Sequence, residues 1–169
     1  MILAIDVDYR DDRAVAAGVV FQAWGDCEPS QVVWAELDEV AAYQPGQFYR
    51  RELPCIRALV DQIERLPACI IVDGYVYLGK ARRPGLGLHL YDALEGQSAV
   101  IGVAKSRFRG TPVAAEVFRG GSRCPLYVTA VGIDEAEARD RVAQMCGEHR
   151  VPTMVRLADQ LSRDPEWRV

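Results

Sequence analysis

The sequence predicts an α/β fold, a mixed central sheet flanked by helices, in a single domain spanning residues 1–169. Three observations lead there. Residues 2–9 alternate, with Ile5 and Val7 set against Asp6 and Asp8, which is strand patterning. Two short apolar runs, residues 68–73 (Ala-Cys-Ile-Ile-Val-Asp) and 99–104 (Ala-Val-Ile-Gly-Val-Ala), have the composition of buried parallel strands. Between the first strand and these runs, Leu53, Ile56, Leu59, Val60 and Ile63 recur at helical spacings of three and four.

Each element follows in turn. Residues 13–24, rich in Val, Ala and Phe, read as a second strand after an Arg10-Asp11-Asp12 turn, and residues 31–37 as a third, making an antiparallel meander. Gln44-Pro45-Gly46 then breaks the chain. A helix is predicted over 48–65; Pro54 suits a first turn, which would start the helix nearer Arg51. Residues 74–88 hold four glycines and Pro84 and read as a long loop, followed by a short helix over 89–94. Residues 112–119 and 124–130 suggest a hairpin across Gly120-Gly121. Asp134 is placed to cap a helix of about 135–148, and Pro152-Thr153 opens a last one. The order matches the ribonuclease H-like order in its first five elements.

Composition narrows the function. Half of the residues are apolar and 26% are charged, as in a packed globular chain. No apolar run approaches the roughly 18 residues that span a bilayer, so no membrane association is expected. The N-terminus meets an acid at Asp6 and reads as a strand instead of a signal peptide. Five cysteines, an odd number without a CxxC pair, point to reduced thiols and a cytoplasmic setting. With only two histidines, neither beside a cysteine pair, a zinc site is disfavoured. A net charge of −4 argues against binding nucleic acid by bulk positive charge. Positive charge is local instead, at Lys80-Ala81-Arg82-Arg83 and Lys105-Ser106-Arg107-Phe108-Arg109, although short runs of this kind also occur as solvated loops.

The acids carry the chemistry. Asp6 lies inside the first strand and Asp73 ends the fourth, so neighbouring strands would bring the two carboxylates together. Like charges that close repel unless a cation sits between them, and Mg²⁺ with oxygen ligands is the usual ion beside phosphate. Mn²⁺ could replace it. Glu52 on the intervening helix and Asp159 on the last helix could complete the cluster. An acid at a strand end also serves as a turn former or an N-cap. Against that, Asp6 sits between Ile5 and Val7 in an otherwise apolar strand, where an unpaired carboxylate would be costly to bury.

At these positions the chain resembles the endonuclease V family. Residues 3–9 look like its opening strand, and Tyr43-Gln44-Pro45-Gly46 with Arg51-Glu52-Leu53-Pro54 is similar to its Tyr-x-Pro-Gly…Arg-Glu-x-Pro segment. Val72-Asp73-Gly74, Arg82-Arg83-x-Gly85 with His89, the run from Ile101 to Ser106, and Arg156-Leu157-Ala158-Asp159 resemble four further motifs, in family order. The resemblance implies a ribonuclease H-like, metal-dependent endonuclease for DNA or RNA containing deaminated adenine (inosine), cutting at the second phosphodiester 3′ to the lesion. A monomer is expected. The resemblance assigns Mg²⁺ to Asp6 and Asp73, with Glu52 and Asp159 ligating metal or orienting water and Lys105 at the phosphate.

It further implies that Tyr43 is a wedge entering the base stack; the plainer reading is a loop tyrosine packed on Pro45. Gly46, Phe48, Gly74, Gly85, Leu86 and Phe108 would form the base pocket, with Pro45, Arg51, Arg82, Arg83 and Ser106 also facing nucleic acid. His89 either joins them or is a packed structural histidine. Two departures stand out. Where the family has His-Gly and later His-Pro after Val-Asp-Gly, this chain has Tyr75-Val76 and Tyr77-Leu78-Gly79-Lys80. The glycine lost at Val76 predicts a narrowed or reshaped pocket. The family's Ser-Pro-Gly-His-Arg turn is replaced by Thr129-Ala130-Val131-Gly132-Ile133. Neither departure touches the four acids or Lys105. A binding module of the same fold with reduced or no cleavage, or a nuclease for another lesion or structure, are the alternatives.

Overall fold

A computed structural model describes residues 1–10, 13–38, 47 and 49–164. The expected meander is present: β1 (Ile2–Arg10), β2 (Arg13–Phe21) and β3 (Gln31–Asp38) pair antiparallel in sequence order. Helix α1 (Tyr49–Val60) leads to β4 (Cys69–Val72), which returns parallel to β1. A small hairpin of β5 (Tyr77–Leu78) and β6 (Arg83–Pro84) precedes α2 (Leu86–Ala93) and then β7 (Ala99–Ala104), parallel to β4. The sheet closes with β8 (Glu116–Val117) and β9 (Leu126–Val131), followed by α3 (Glu135–Gln144) and α4 (Thr153–Arg163). The seven-stranded order is β3-β2-β1-β4-β7-β9-β8, so three parallel strands lie at the centre of a mixed sheet.

Period-two alternation sends side chains to two cores. Leu3, Ile5, Ile70, Val72 and Val100 pack with Ile56, Leu59 and Leu90 on the α1–α2 face. Ala4, Ile71, Ile101 and Val103 pack with Ala138, Val142, Ala158 and Leu161 on the α3–α4 face.

Several boundaries move. Helix α1 starts at Tyr49, before Arg51, and carries Pro54 one turn inside. Helix α2 begins at Leu86, earlier than the predicted 89, and β2 ends at Phe21. The predicted hairpin is reduced to two residues of β8, because Val113–Ala115 coil into a 3-10 turn before it. Asp134 caps α3 as expected, accepting from the amides of Ala136 and Glu137 at 2.9 and 3.1 Å. The cysteine reading is corrected at one pair: Cys27 and Cys146 form a disulfide, while Cys55, Cys69 and Cys124 are free thiols. Among the described residues, no helix is long and apolar enough to cross a membrane.

Candidate active site

Strand parity builds the site. Asp6 continues the row of Ile2 and Ala4, Asp73 that of Cys69 and Ile71, and Lys105 that of Ile101 and Val103. All three therefore emerge on the α4 face: Asp73 and Lys105 directly follow β4 and β7, at carboxyl ends where open α/β sheets place ligands, and Asp6 lies within β1 just past its last pair with β4. Helix α4 supplies Asp159 from above. Asp6, Asp73 and Asp159 each offer an oxygen, all within 4.8 Å of one another. Lys105 Nζ donates to Asp73 Oδ2 at 2.7 Å and to Asp159 Oδ1 at 3.2 Å, and Arg163 donates to the same Asp159 oxygen at 3.0 Å.

Glu52 comes from the other face of the sheet. It lines a small cavity with Asp6 and Asp73 but lies outside the three-carboxylate cluster. Its side chain is buried, and among the described residues Oε2 has no hydrogen-bond partner. Burial, then the charges of Asp6 and Asp73, push the Glu52 carboxyl up to about 8. Burial also raises Asp6; a hydrogen bond from Ser162 opposes this and the charges of Asp73 and Asp159 add to it. For Lys105, burial works against the charge, but its bonds and proximity to Asp73 and Asp159 prevail and hold the ammonium above its ordinary value. A crowded set of hard oxygen donors with an orphaned buried carboxylate oxygen fits a small divalent cation.

Beside the acids lies a cavity of about 230 Å³, lined by Tyr49, Glu52, Asp73, Gly74, Tyr75, Leu78, Pro84, Gly85 and Leu86. Its floor depends on close backbone approach. A Cβ on Gly102 of β7 would lie 2.6 Å from the Gly74 carbonyl, and one on Gly85 would lie 2.3 Å from the Tyr75 carbonyl. The Tyr75 hydroxyl donates to the Ser106 carbonyl at 2.8 Å and accepts from the Phe108 amide at 3.0 Å, tying the loop after Lys105 to the loop after Asp73.

Gly74, Gly85 and Leu86 are thus gathered where a base pocket is expected. Phe108 meets Tyr75 edge-on at 6.2 Å between ring centroids and is not on the cavity wall. His89 stacks on Tyr49 at 3.6 Å, and burial lowers its pKa, in keeping with a packed histidine at the rim. Arg82 is held by Glu135 at 3.0 Å and lies over the Tyr77 ring, whereas Arg83 is exposed, 5.8 Å above the Phe108 ring. Arg51 lies over the Tyr9 ring at 4.2 Å. Ser106 is exposed. Tyr43, Pro45, Gly46 and Phe48 lie outside the described residues.

Val76 is not among the residues that line the cavity. Its side chain is fully buried in the core with Leu86, Leu90 and Val100, behind a wall residue of the cavity. Its amide donates to Thr129 Oγ1 at 2.8 Å, so a residue of the altered 129–133 segment anchors the loop. Sequence reasoning missed Tyr49 and Tyr75 on the cavity wall and Ser162 beside Asp6. For Ser162 a signal existed: it lies three residues after Asp159, on the same helix face.

Asp6 within β1 and Asp73 directly after β4, beneath a helix that adds Asp159, form the framework of a ribonuclease H-like nuclease, and this chain is an enzyme of that class. Residues 1–132 match the family model for endonuclease V. Endonuclease V of Thermococcus kodakarensis is 32% identical over 161 residues, spanning 95% of this chain and 76% of that protein. The chain belongs to the endonuclease V family. The crystal structure of the Streptomyces avermitilis endonuclease V superposes with a TM-score of 0.77 at 28% identity, covering 99% of this chain and 81% of that one. The Ciona intestinalis endonuclease V, solved with a 24mer DNA containing an inosine followed by a ribo-adenosine, has a TM-score of 0.77 at 19% identity, covering 99% of this chain and 86% of that one, a likeness of fold.

Proposed function

We propose that this protein is a Mg²⁺-dependent endonuclease that recognises inosine in DNA or RNA and cleaves the second phosphodiester on its 3′ side. The observation that carries the reading is the juxtaposition of the Asp6–Asp73–Asp159 cluster with the cavity walled by Tyr49, Tyr75 and Leu86. An extruded base needs a flat, largely apolar slot, and the scissile phosphate must then fall beside the acids. Asp73 belongs to both places, since it is in the cluster and on the cavity wall.

Asp6, Asp73 and Asp159 would hold the cation, with Mn²⁺ a substitute, and Glu52 would complete the set or accept a proton from water. A bound divalent ion supplies charge neutralisation at the phosphate and lowers the pKa of water. Lys105 meets the developing negative charge. Glycine backbone at Gly74 and Gly85 lets the base edge approach main-chain groups. Arg83, together with Lys80 and Arg109 on adjacent exposed loops, provides local positive charge in a chain of net charge −4.

The test incubates the protein with inosine-containing and plain oligonucleotides, as DNA and as RNA, with Mg²⁺ or Ca²⁺. Asp73→Ala runs alongside. Cleavage confined to the inosine strand, one nucleotide beyond the lesion and lost in Asp73→Ala, is expected. Cleavage indifferent to inosine, or binding without any cleavage, would overturn the proposal.

A further inference from the structure

Ser162 is the fully buried hydroxyl nearest the acid cluster, and its Oγ lies 2.7 Å from Asp6 Oδ2. Helical serines commonly bond back to a carbonyl of the preceding turn, and the Asp159 carbonyl is within reach at 2.9 Å. A hydroxyl has one proton to donate. The carboxylate is the stronger acceptor and the shorter contact, so the Ser162 hydroxyl donates to Asp6 Oδ2.

We infer that Ser162 is a positioning residue for metal binding, fixing the Asp6 carboxylate so that it meets Asp73 and Asp159 around one cation. The inference rests on the metal-site reading above. Its structural basis is that α4 presents Asp159 and, one turn later, Ser162, so a single helix contributes one ligand directly and orients a second. That turn is itself fastened to β1: Arg10 donates to the Ser162 carbonyl at 3.3 Å and to the Arg163 carbonyl, while its Nε donates to Asp8 at 3.1 Å. Asp6 and Ser162 are 156 residues apart in the chain, so nothing local holds this contact. With the hydroxyl on Oδ2, the carboxylate keeps Oδ1 and a further lone pair for a cation. Groups that orient a ligand in this way typically change metal affinity about 10- to 100-fold when removed.

The experiment measures Mn²⁺ binding by calorimetry on the full chain without nucleic acid, and the Mn²⁺ dependence of cleavage. Wild type is compared with Ser162→Ala and with Ser162→Cys, which keeps the volume but offers a weak donor. Both variants are expected to bind Mn²⁺ about 10- to 100-fold more weakly. The rate at saturating metal should fall less than the affinity does, and binding of an inosine oligonucleotide in buffer free of divalent metal should not change. A role confined to packing would lower the melting temperature and leave the metal affinity alone. Unchanged Mn²⁺ affinity in either folded variant overturns the inference for Ser162 only. Absence of Mn²⁺ binding in wild type overturns the inference together with the metal-site reading.

Discussion

Replacing Lys105 by methionine should impair cleavage and at the same time tighten metal binding. The ammonium is itself the cation between acids, 2.7 Å from Asp73 and 3.2 Å from Asp159, so a metal must compete with it for the same carboxylates. The three side chains are 30%, 32% and 23% exposed, which places the pairs between surface and interior. A hydrogen bond to a charged group contributes about 1.5–3 kcal/mol when buried, and solvent screening reduces two such bonds here to about 2 kcal/mol together. Removing Lys105 therefore leaves three crowded carboxylates with Arg163 as the cation bonded to the cluster. The metal-free protein should lose about 1–2 kcal/mol of stability. Mn²⁺ affinity should rise about tenfold, corresponding to about 1.4 kcal/mol. Cleavage at saturating metal should fall about 10²- to 10³-fold, the usual consequence of losing one group that stabilises developing charge. Calorimetric titration with Mn²⁺ and single-turnover cleavage of an inosine oligonucleotide measure the two effects. A folded Lys105→Met protein whose Mn²⁺ affinity is unchanged or weaker would refute the competition.

Glu52, held near 8 against an ordinary 4.5, keeps its proton in the native state over a range where the unfolded chain releases it. Its contribution to the metal-free protein is complete below the unfolded value and is lost as pH rises through about 8, with raised Asp6 acting in the same sense. The melting temperature without metal should fall between about pH 5 and pH 9, and Glu52→Gln should flatten that fall; an identical slope in the variant would contradict the assignment. The Cys27–Cys146 disulfide links positions 119 residues apart, so Cys27→Ser should cost up to about 4–5 kcal/mol, read as a lower urea midpoint matched by reduced wild type. A Cβ on Gly87 would meet Val76 Cγ2 at 2.6 Å. Gly87→Ala should therefore cost about 1–3 kcal/mol by denaturant unfolding, and the double variant with Val76→Ala should recover part of the loss; strict additivity would show that the two sites are not coupled.

Much of the site was legible in the sequence because strand alternation has a period of two. Once Ala4, Ile71 and Val103 are assigned to one core face, Asp6, Asp73 and Lys105 must leave the sheet on that same side. The Pro152-Thr153 start likewise put Asp159 on the last helix. Boundaries were less legible where turn geometry competes with strand propensity: Val113–Ala115 could continue a strand by composition and instead coils.

What the sequence by itself determined is the parity of each strand, the order of the motifs and the acids they carry, since these depend on residues within a few positions of one another. Only the tertiary structure decided which distant groups meet. Val76 looked like an intrusion into a pocket because alternation gives no direction to a side chain in a loop; packing against Leu86 and Val100 turned it into the core. Cys27 met Cys146 across 119 residues, and Ser162 met Asp6 across 156, through the docking of loops and helix α4 on the sheet. Such contacts depend on how whole elements pack, and no local periodicity encodes them.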